Sequence, residues 1–273
     1  MLNHIGQIPA AAAFKFSNKD ALVFEGRTFS FNEINDLVER AAGGLSDLGI
    51  VQGDTVTLYA ANSWEWIVSY YAIARLGAVI NPVNTMLTPS EIEYVVKDCG
   101  AKAIIASPEK VAAIMGVKEV SDVEEIISFG SDIADGAISF DALIAANISA
   151  PTPVEIDPAN LSTIGYTSGT TGHPKGAMQS HRAVITNGAM TSQMQMRGAD
   201  DCIVSALPCP HVYANVIMMS MMMFGSKLVL HRAFDVDLAF ADITAHKATI
   251  FDGVPAMYMF MLNSPTIKDA DLS

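Results

Sequence analysis

The sequence predicts an α/β fold in which parallel strands are covered by helices on both faces. Short, β-rich apolar runs alternate with longer helical patterns almost from end to end. Strands joined by helical crossovers run parallel, and both faces of such a sheet are covered. The chain has 273 residues, of which 51% are hydrophobic and 16% are charged. This composition allows a sizeable core and excludes a disordered chain.

In the first half of the chain, the starts of helices carry the clearest local signals. Ser30 and Glu33 have the spacing of a capping box, and the helix that follows has an apolar stripe that stops at Gly49. Thr88 and Glu91 form a second capping box, before a helix that ends at Gly100. The other predicted elements are strands at 55–60, 78–83, 101–107 and 126–129, and helices at 64–76, at 109–115 and from residue 140.

The alternation resumes after a hydrophilic, proline-marked connector at residues 149–161. His181 is expected to begin a helix after Ser180. The predicted strands lie at 202–207, 226–230 and 248–253, and the predicted helices lie near 181–196, 213–223, 236–246 and 256–262.

Charge and cysteine content exclude several classes of protein. Sixteen Lys and Arg against 29 Asp and Glu give a net charge of −13, which argues against a nucleic-acid binder. Three cysteines without a C-x-x-C pair argue against a disulfide framework and favour a reducing compartment. The most apolar stretch, 214–224, is too short to span a bilayer, and the first residues lack a signal-peptide pattern. We therefore expect a cytoplasmic protein.

The segment 162–184, STIGYTSGTTGHPKGAMQSHRAV, has the composition of a phosphate-binding loop. Glycines allow backbone N–H groups to converge on an anion, hydroxyls add donors, and Lys175 adds a positive charge. It is not a Walker A loop, because Lys175 lies between Pro174 and Gly176. The alternative is an ordinary surface loop between two strands. The residues expected to hold phosphate are Thr167, Ser168, Gly169, Thr170, Thr171, Gly172 and Lys175.

The pattern YTSGTTG-x-PKG closely resembles the phosphate-loop signature of the adenylate-forming (AMP-binding) enzymes, particularly acyl-CoA synthetases. Residues 21–84 look like the usual opening of those synthetases, and LPCPHVYA at 207–214 resembles their second core motif. The resemblance implies two packed layers of parallel strands. It also implies ATP, Mg²⁺ and coenzyme A as partners of a small carboxylic acid, with Thr167 touching the metal.

The resemblance assigns roles to residues beyond the loop. His211 is expected to be catalytic, since the family uses this position to meet the carboxylate; the alternative is a structural histidine in a proline-rich turn. Met218, Gly253, Val254 and Pro255 are expected to line the acyl pocket with His211. Eleven of the fifteen methionines fall between residues 190 and 261, which fits an adaptable apolar tunnel or plain core filling.

The resemblance also predicts how the chain divides. Residues 1–273 are expected to be the front part of the large N-terminal AMP-binding domain, without the C-terminal domain. Approximately 80–180 would form the first α/β subdomain with the phosphate loop, and 1–79 plus 200–273 would form part of the second. The family's later motifs, including its glutamate for Mg²⁺ and its catalytic lysine, are not found in the sequence.

These features predict a segment of an ATP-dependent carboxylic acid–CoA ligase for a fatty or aromatic acid, which is inactive by itself. The alternatives are a non-catalytic, truncated nucleotide-binding module and another adenylate-forming enzyme, either carrier-protein-loading or luciferase-like. The sequence is compatible with a homodimer.

Overall fold

The computed structural model describes residues 2–130, 133–147, 154–167 and 174–272. Ten α-helices are present in these ranges: α1 (Ile8–Phe16), α2 (Phe31–Asp47), α3 (Trp64–Arg75), α4 (Pro89–Asp98), α5 (Pro108–Ile114), α6 (Phe140–Ala146), α7 (His181–Met194), α8 (Val212–Phe224), α9 (Val236–His246) and α10 (Pro255–Asn263). The strands are β1 (Asp20–Phe24), β2 (Arg27–Ser30), β3 (Thr55–Tyr59), β4 (Val79–Pro82), β5 (Ala101–Ala106), β6 (Glu125–Ser128), β7 (Ile138–Ser139), β8 (Leu161–Thr167), β9 (Lys175–Ser180), β10 (Cys202–Ser205), β11 (Lys227–Leu230) and β12 (Ile250–Asp252).

The strands form two sheets, and the predicted α/β class is confirmed. One sheet has seven strands in the order β7-β6-β5-β3-β4-β8-β9, and the other has five in the order β12-β10-β11-β1-β2. Neighbouring strands are parallel except for the pairs β1–β2 and β8–β9, at one edge of each sheet. Both exceptions follow from short connections, since a parallel crossover needs about a dozen residues or more.

The two predicted capping boxes are confirmed, and they show why α2 and α4 begin where they do. Ser30 Oγ accepts a hydrogen bond from the Glu33 N–H at 3.2 Å, and the Glu33 carboxylate accepts one from the Ser30 N–H at 2.7 Å. Thr88 and Glu91 make the same reciprocal pair at the start of α4. Each box satisfies two backbone donors that the helix itself leaves free.

The predicted division of the strands between the sheets is wrong for β3. The sequence placed residues 1–79 with 200–273, but β3 lies between β4 and β5 in the seven-stranded sheet. All five β3 residues are buried, as a central strand of a covered sheet requires. The other two strands before residue 79, β1 and β2, do join β10, β11 and β12.

The hairpin β1–β2 and the helix α1 were not predicted. Glu25 and Gly26 connect the two strands with φ angles of +47° and +78°, which is the geometry of a tight two-residue hairpin turn. The Glu-Gly pair between apolar runs was the local signal for this turn.

A continuous apolar core joins the two sheets. It contains residues of both sheets together with helices α2, α3 and α8, and its largest fully buried side chains include Trp66, Tyr70, Tyr71, Phe29 and Phe31. Most of the methionines of α8 are buried in this core, as the core-filling alternative expects. No helix in the described part of the chain is both long and apolar enough to cross a membrane.

A buried histidine pair lies where α7 begins. His181 is the first residue of α7, as predicted, and its Nδ1 accepts a hydrogen bond from the Ile5 N–H at 3.3 Å. Its ring meets the His4 ring edge to face at 5.8 Å. Burial, and then His4, lower the pKa of His181 to about 4. Both rings are therefore neutral in the folded protein near neutral pH.

This pair predicts that stability falls as the pH drops from 6.5 towards 4. In that window the unfolded chain takes up a proton at residue 181 and the folded chain does not, so protonation favours unfolding. Across this pH window, the titration of His181 should lower the free energy of unfolding by about 3 kcal/mol.

Urea unfolding across this pH range should show the slope, and His181→Asn should reduce it, because the amide oxygen still accepts from Ile5. An equal slope in His181→Asn would contradict the assignment.

Candidate functional site

A cavity of about 250 Å³ lies where strands β8 and β9, helices α3 and α7 and the turn before α8 meet. Its described wall is neutral apart from one histidine, and mixes apolar and hydrogen-bonding side chains. The lining residues are Trp66, Tyr70, Pro82, Thr163, Gly165, Tyr166, Thr167, Ala177, Gln179, Val184, Asn187, Cys209, Pro210, His211, Val212 and Asn215.

One end of the predicted phosphate loop, Thr167, lies at this cavity, and the other end is paired with it. Thr167 is the last residue of β8, Lys175 is the first residue of β9, and the two are direct partners in the antiparallel ladder. Both are exposed. Ser168, Gly169, Thr170, Thr171 and Gly172, which were also predicted to hold phosphate, lie outside the described residues. The fold therefore brings together the hydroxyl and the ammonium group that flank the loop.

Helix α4 supports both ends of the loop. Tyr166 Oη donates a hydrogen bond to the Asp98 carboxylate at 2.5 Å, and Tyr94 Oη donates one to the Pro174 carbonyl at 3.4 Å. Burial, and then Asp98, raise the pKa of Tyr166, so its hydroxyl remains a donor. These contacts hold the last turn of α4 against the stems of the loop.

His211 is the N-cap of α8 and lies in the wall of the same cavity. Its Nδ1 accepts a hydrogen bond from the Tyr213 N–H at 3.3 Å. An accepting Nδ1 carries no hydrogen, so in the neutral ring the hydrogen is on Nε2. The ring is exposed. This tautomer can donate to an oxygen of a bound ligand, which is what a residue meeting a carboxylate or its adenylate must do.

Asn62, which the sequence analysis did not single out, holds the turn that carries His211. Its Nδ2 donates to the carbonyls of Leu207 and His231 at 2.9 and 3.0 Å, and its Oδ1 accepts from the Cys209 N–H at 2.7 Å. The side chain is 3% exposed. Asn62 follows β3 in one sheet, whereas residues 207–211 follow β10 in the other. It therefore connects the two sheets at the cavity.

The remaining predicted pocket residues lie elsewhere. Met218 is 2% exposed and packs in the core, and it is not among the described residues that line the cavity. Gly253 and Val254 precede α10, Pro255 is its first residue, and none of these three lines the cavity. The acyl-pocket role of these four residues stays a prediction.

A buried ion pair connects the strand that ends just before Gly253 with the start of α8. Arg197 Nη2 lies 2.8 Å from an Asp252 carboxylate oxygen, and the two side chains are 1% and 8% exposed. Tyr213 Oη donates to Asp252 at 3.2 Å. Desolvation raises the pKa of Asp252, and Arg197 opposes that rise. The pair thus ties the turn before Gly253 to the helix capped by His211.

Few side chains in the described ranges are arranged to bind a metal ion. In the described ranges, no group of three or more His, Cys, Asp or Glu side chains is arranged to hold a metal ion. Thr167 offers a hydroxyl oxygen at the cavity, which is a ligand type that suits Mg²⁺.

Comparison with known proteins agrees with the resemblance seen in the motifs. The profile of the AMP-binding enzyme family matches residues 10–273. The chain is 36% identical over 255 residues to 4-coumarate–CoA ligase 5 of Oryza sativa subsp. japonica, covering 91% of this chain and 46% of the relative. It is 32% identical to indoleacetate–CoA ligase of Aromatoleum aromaticum, covering 99% and 52%. The chain thus spans about half the length of these curated relatives.

Solved structures show the same fold. The inhibitor-bound N-terminal domain of FACL13 from Mycobacterium tuberculosis superimposes with a TM-score of 0.90 at 28% identity, covering 99% of this chain and 67% of that one. ATP-bound MatB from Rhodopseudomonas palustris superimposes with a TM-score of 0.85 at 29% identity, covering 97% and 52%. From the loop pattern, the fold and these matches together, the chain belongs to the AMP-binding enzyme family.

Proposed function

We propose that this chain forms the ATP- and acid-binding part of an AMP-forming carboxylic acid–CoA ligase. The observation that carries the proposal is the cavity shared by Thr167, at the edge of the phosphate loop, and His211, with Lys175 opposite Thr167 in the ladder. The curated relatives are CoA ligases for 4-coumarate and indoleacetate. We propose a fatty or aromatic acid as the substrate.

The proposed chemistry has two steps. The carboxylate of the acid attacks the α-phosphorus of ATP, which forms an acyl-adenylate and releases pyrophosphate. The thiol of CoA then attacks the acyl carbon, a thioester forms, AMP leaves and the thiol proton is lost to solvent. In the first step, Lys175 and the loop hydroxyls offset the charge of the departing pyrophosphate. His211 donates from Nε2 to a carboxylate oxygen and orients it.

Mg²⁺ would accompany the nucleotide and neutralise phosphate charge when bound. Thr167 is the described residue that can contribute an oxygen ligand. We further propose a cytoplasmic location, because all three cysteines, Cys99, Cys202 and Cys209, are free thiols in the fold.

The proposal is tested by replacing Lys175 with alanine. The lost charge-assisted bond to phosphate should weaken ATP binding by about 1.5–3 kcal/mol. This corresponds to a dissociation constant raised by about 10- to 150-fold. Calorimetric titration of the chain with ATP and Mg²⁺ measures the effect.

Lys268→Ala, an exposed lysine in the turn after α10, is the matched control and should bind ATP as the parent does. Equal ATP affinity in Lys175→Ala and the parent would contradict the proposal. ATP binding without any acid binding would instead favour the non-catalytic nucleotide-binding module.

A further inference from the structure

The last residue of α4 is a carboxylate in a position where the helix itself favours a cation. The C-terminal end of a helix carries partial negative charge, so an acidic side chain there is unfavourable for the helix. Asp98 lies at this end and is exposed. Its carboxylate accepts a hydrogen bond from outside the helix, from Tyr166 Oη at 2.5 Å. The structural reason for an acid at this position therefore lies in the contact with Tyr166.

Tyr166 connects this carboxylate to both strands that carry the phosphate loop. It precedes Thr167 on β8, and its partner in the ladder is Gly176, which follows Lys175 on β9. A Cβ atom at position 176 would lie 3.2 Å from the Tyr166 ring, so the ring rests directly on the glycine backbone. A displacement of the Tyr166 ring therefore affects the strand end at Thr167 and the strand start at Lys175 together.

Helix α4 also holds the second strand directly. Tyr94 Oη donates a hydrogen bond at 3.4 Å to the carbonyl of Pro174, the residue before Lys175. Burial, and then the hydrogen bond to Asp98, raise the pKa of Tyr166, so its hydroxyl group stays protonated and continues to donate near neutral pH. Both strands at the base of the loop are thus attached to one helix.

The charge of Asp98 argues against direct contact with a nucleotide. The chain has a net charge of −13, and a carboxylate repels the phosphate groups of ATP. The hydrogen-bond partner of Asp98 is one residue away from Thr167, so by charge alone Asp98 weakens ATP binding. Any favourable effect of Asp98 on ATP binding must act through the position of Tyr166.

We propose that Asp98 is a positioning residue for ATP, which acts through Tyr166 to hold Thr167 and Lys175 in the arrangement that receives the phosphate groups. This inference rests on the proposed function. Without the hydrogen bond, the Tyr166 ring and the two strand ends sample other arrangements. The apparent dissociation constant then rises in proportion as the binding-competent fraction falls.

The test is calorimetric titration of the chain with ATP and Mg²⁺, for the parent, Asp98→Leu and Tyr166→Phe. Each variant loses the hydrogen bond, and Tyr166→Phe keeps the ring on Gly176. The dissociation constant for ATP should rise about three- to tenfold in each. Charge alone predicts the opposite sign for Asp98→Leu, because removal of a carboxylate near the phosphates should tighten binding. The direction of the change therefore separates positioning from charge.

The conservative variant Asp98→Asn should rescue binding. Its amide oxygen can still accept from the Tyr166 hydroxyl while the charge is gone, so ATP should bind at least as tightly as to the parent. The double variant Asp98→Leu/Tyr166→Phe should bind no more weakly than either single variant, because both substitutions remove the same bond. Two independent structural roles would instead give additive losses without rescue.

The chain offers a matched control for each variant. Glu93 pairs with Lys97 on the same helix, and Tyr258 Oη donates to the Phe251 carbonyl beside the other sheet. Glu93→Leu should not weaken ATP binding, and Tyr258→Phe should bind ATP as the parent does. The melting temperature of Asp98→Leu should stay close to that of the parent, because the relief of charge at the helix end offsets the lost hydrogen bond.

Unchanged or tighter ATP binding in Asp98→Leu, beside weaker binding in Lys175→Ala, would overturn the positioning role and leave the nucleotide site in place. Asp98→Asn binding as weakly as Asp98→Leu would overturn it as well. If the parent chain does not bind ATP, the proposed function and this inference both fail.

Discussion

Replacing Arg197 with methionine is expected to lower the free energy of unfolding by about 3–5 kcal/mol. The substitution leaves the Asp252 carboxylate 8% exposed and without its cation. Desolvation already raises the pKa of Asp252 in the intact pair, so the carboxyl group should take up a proton more readily in the variant. Urea unfolding at pH 7, followed by circular dichroism, measures the loss.

The double variant Arg197→Met/Asp252→Leu distinguishes a charge effect from a packing effect. Replacing both partners by apolar side chains is often neutral, so most of the lost stability should return. Arg232→Met, which breaks the exposed Arg232–Glu25 pair, is the matched control and should cost less than about 1 kcal/mol. If the double variant is no more stable than Arg197→Met, the loss comes from packing and the assignment is wrong.

Replacing Asn62 with leucine is expected to cost about 3 kcal/mol or more, because three backbone groups lose their partner in a buried position. These groups are the Leu207 and His231 carbonyls and the Cys209 N–H. The turn that carries His211 should loosen as well, so ligand binding in the cavity should weaken beyond what the remaining folded fraction explains. Urea unfolding and calorimetric titration of the same samples with ATP measure both effects.

Asn62→Asp keeps the acceptor for Cys209 but replaces the donating amide nitrogen by a carboxylate oxygen that faces two carbonyl oxygens. Because this charge is buried without a cation, the variant should be less stable than Asn62→Leu. Asn32→Leu removes an exposed contact to Asn18 and should change stability by about 0.5 kcal/mol or less. If Asn62→Leu also costs only about 0.5 kcal/mol or less, other contacts hold the turn.

The helix starts at α2 and α4 could be predicted because their signals are local. A capping residue and its glutamate three positions later satisfy backbone donors of the same turn, whatever packs around them. The same holds for Ser180, whose side chain caps α7 through the Ala183 N–H. The alternation of these helices with apolar runs was sufficient to predict parallel sheets.

The placement of β3 could not be predicted in the same way. Its buried, apolar residues fit the middle of either sheet, and the choice depends on which strands it pairs with. Its partners β4 and β5 begin at residues 79 and 101. Its connection to β4 through α3 is compatible with both sheets, so only the packing of the whole core settles the question.

The sequence by itself determined the family of the chain, because residue types at fixed spacing define the pattern of the phosphate loop, and it predicted roles for the loop and for His211. Only the tertiary structure decided that Thr167 and His211 line one cavity. It also decided that Asn62 holds a carbonyl 145 residues away, and that Arg197 pairs with Asp252. The physical reason is that a buried polar group acquires its role from the partners that the fold places around it, and those partners lie far away in the chain.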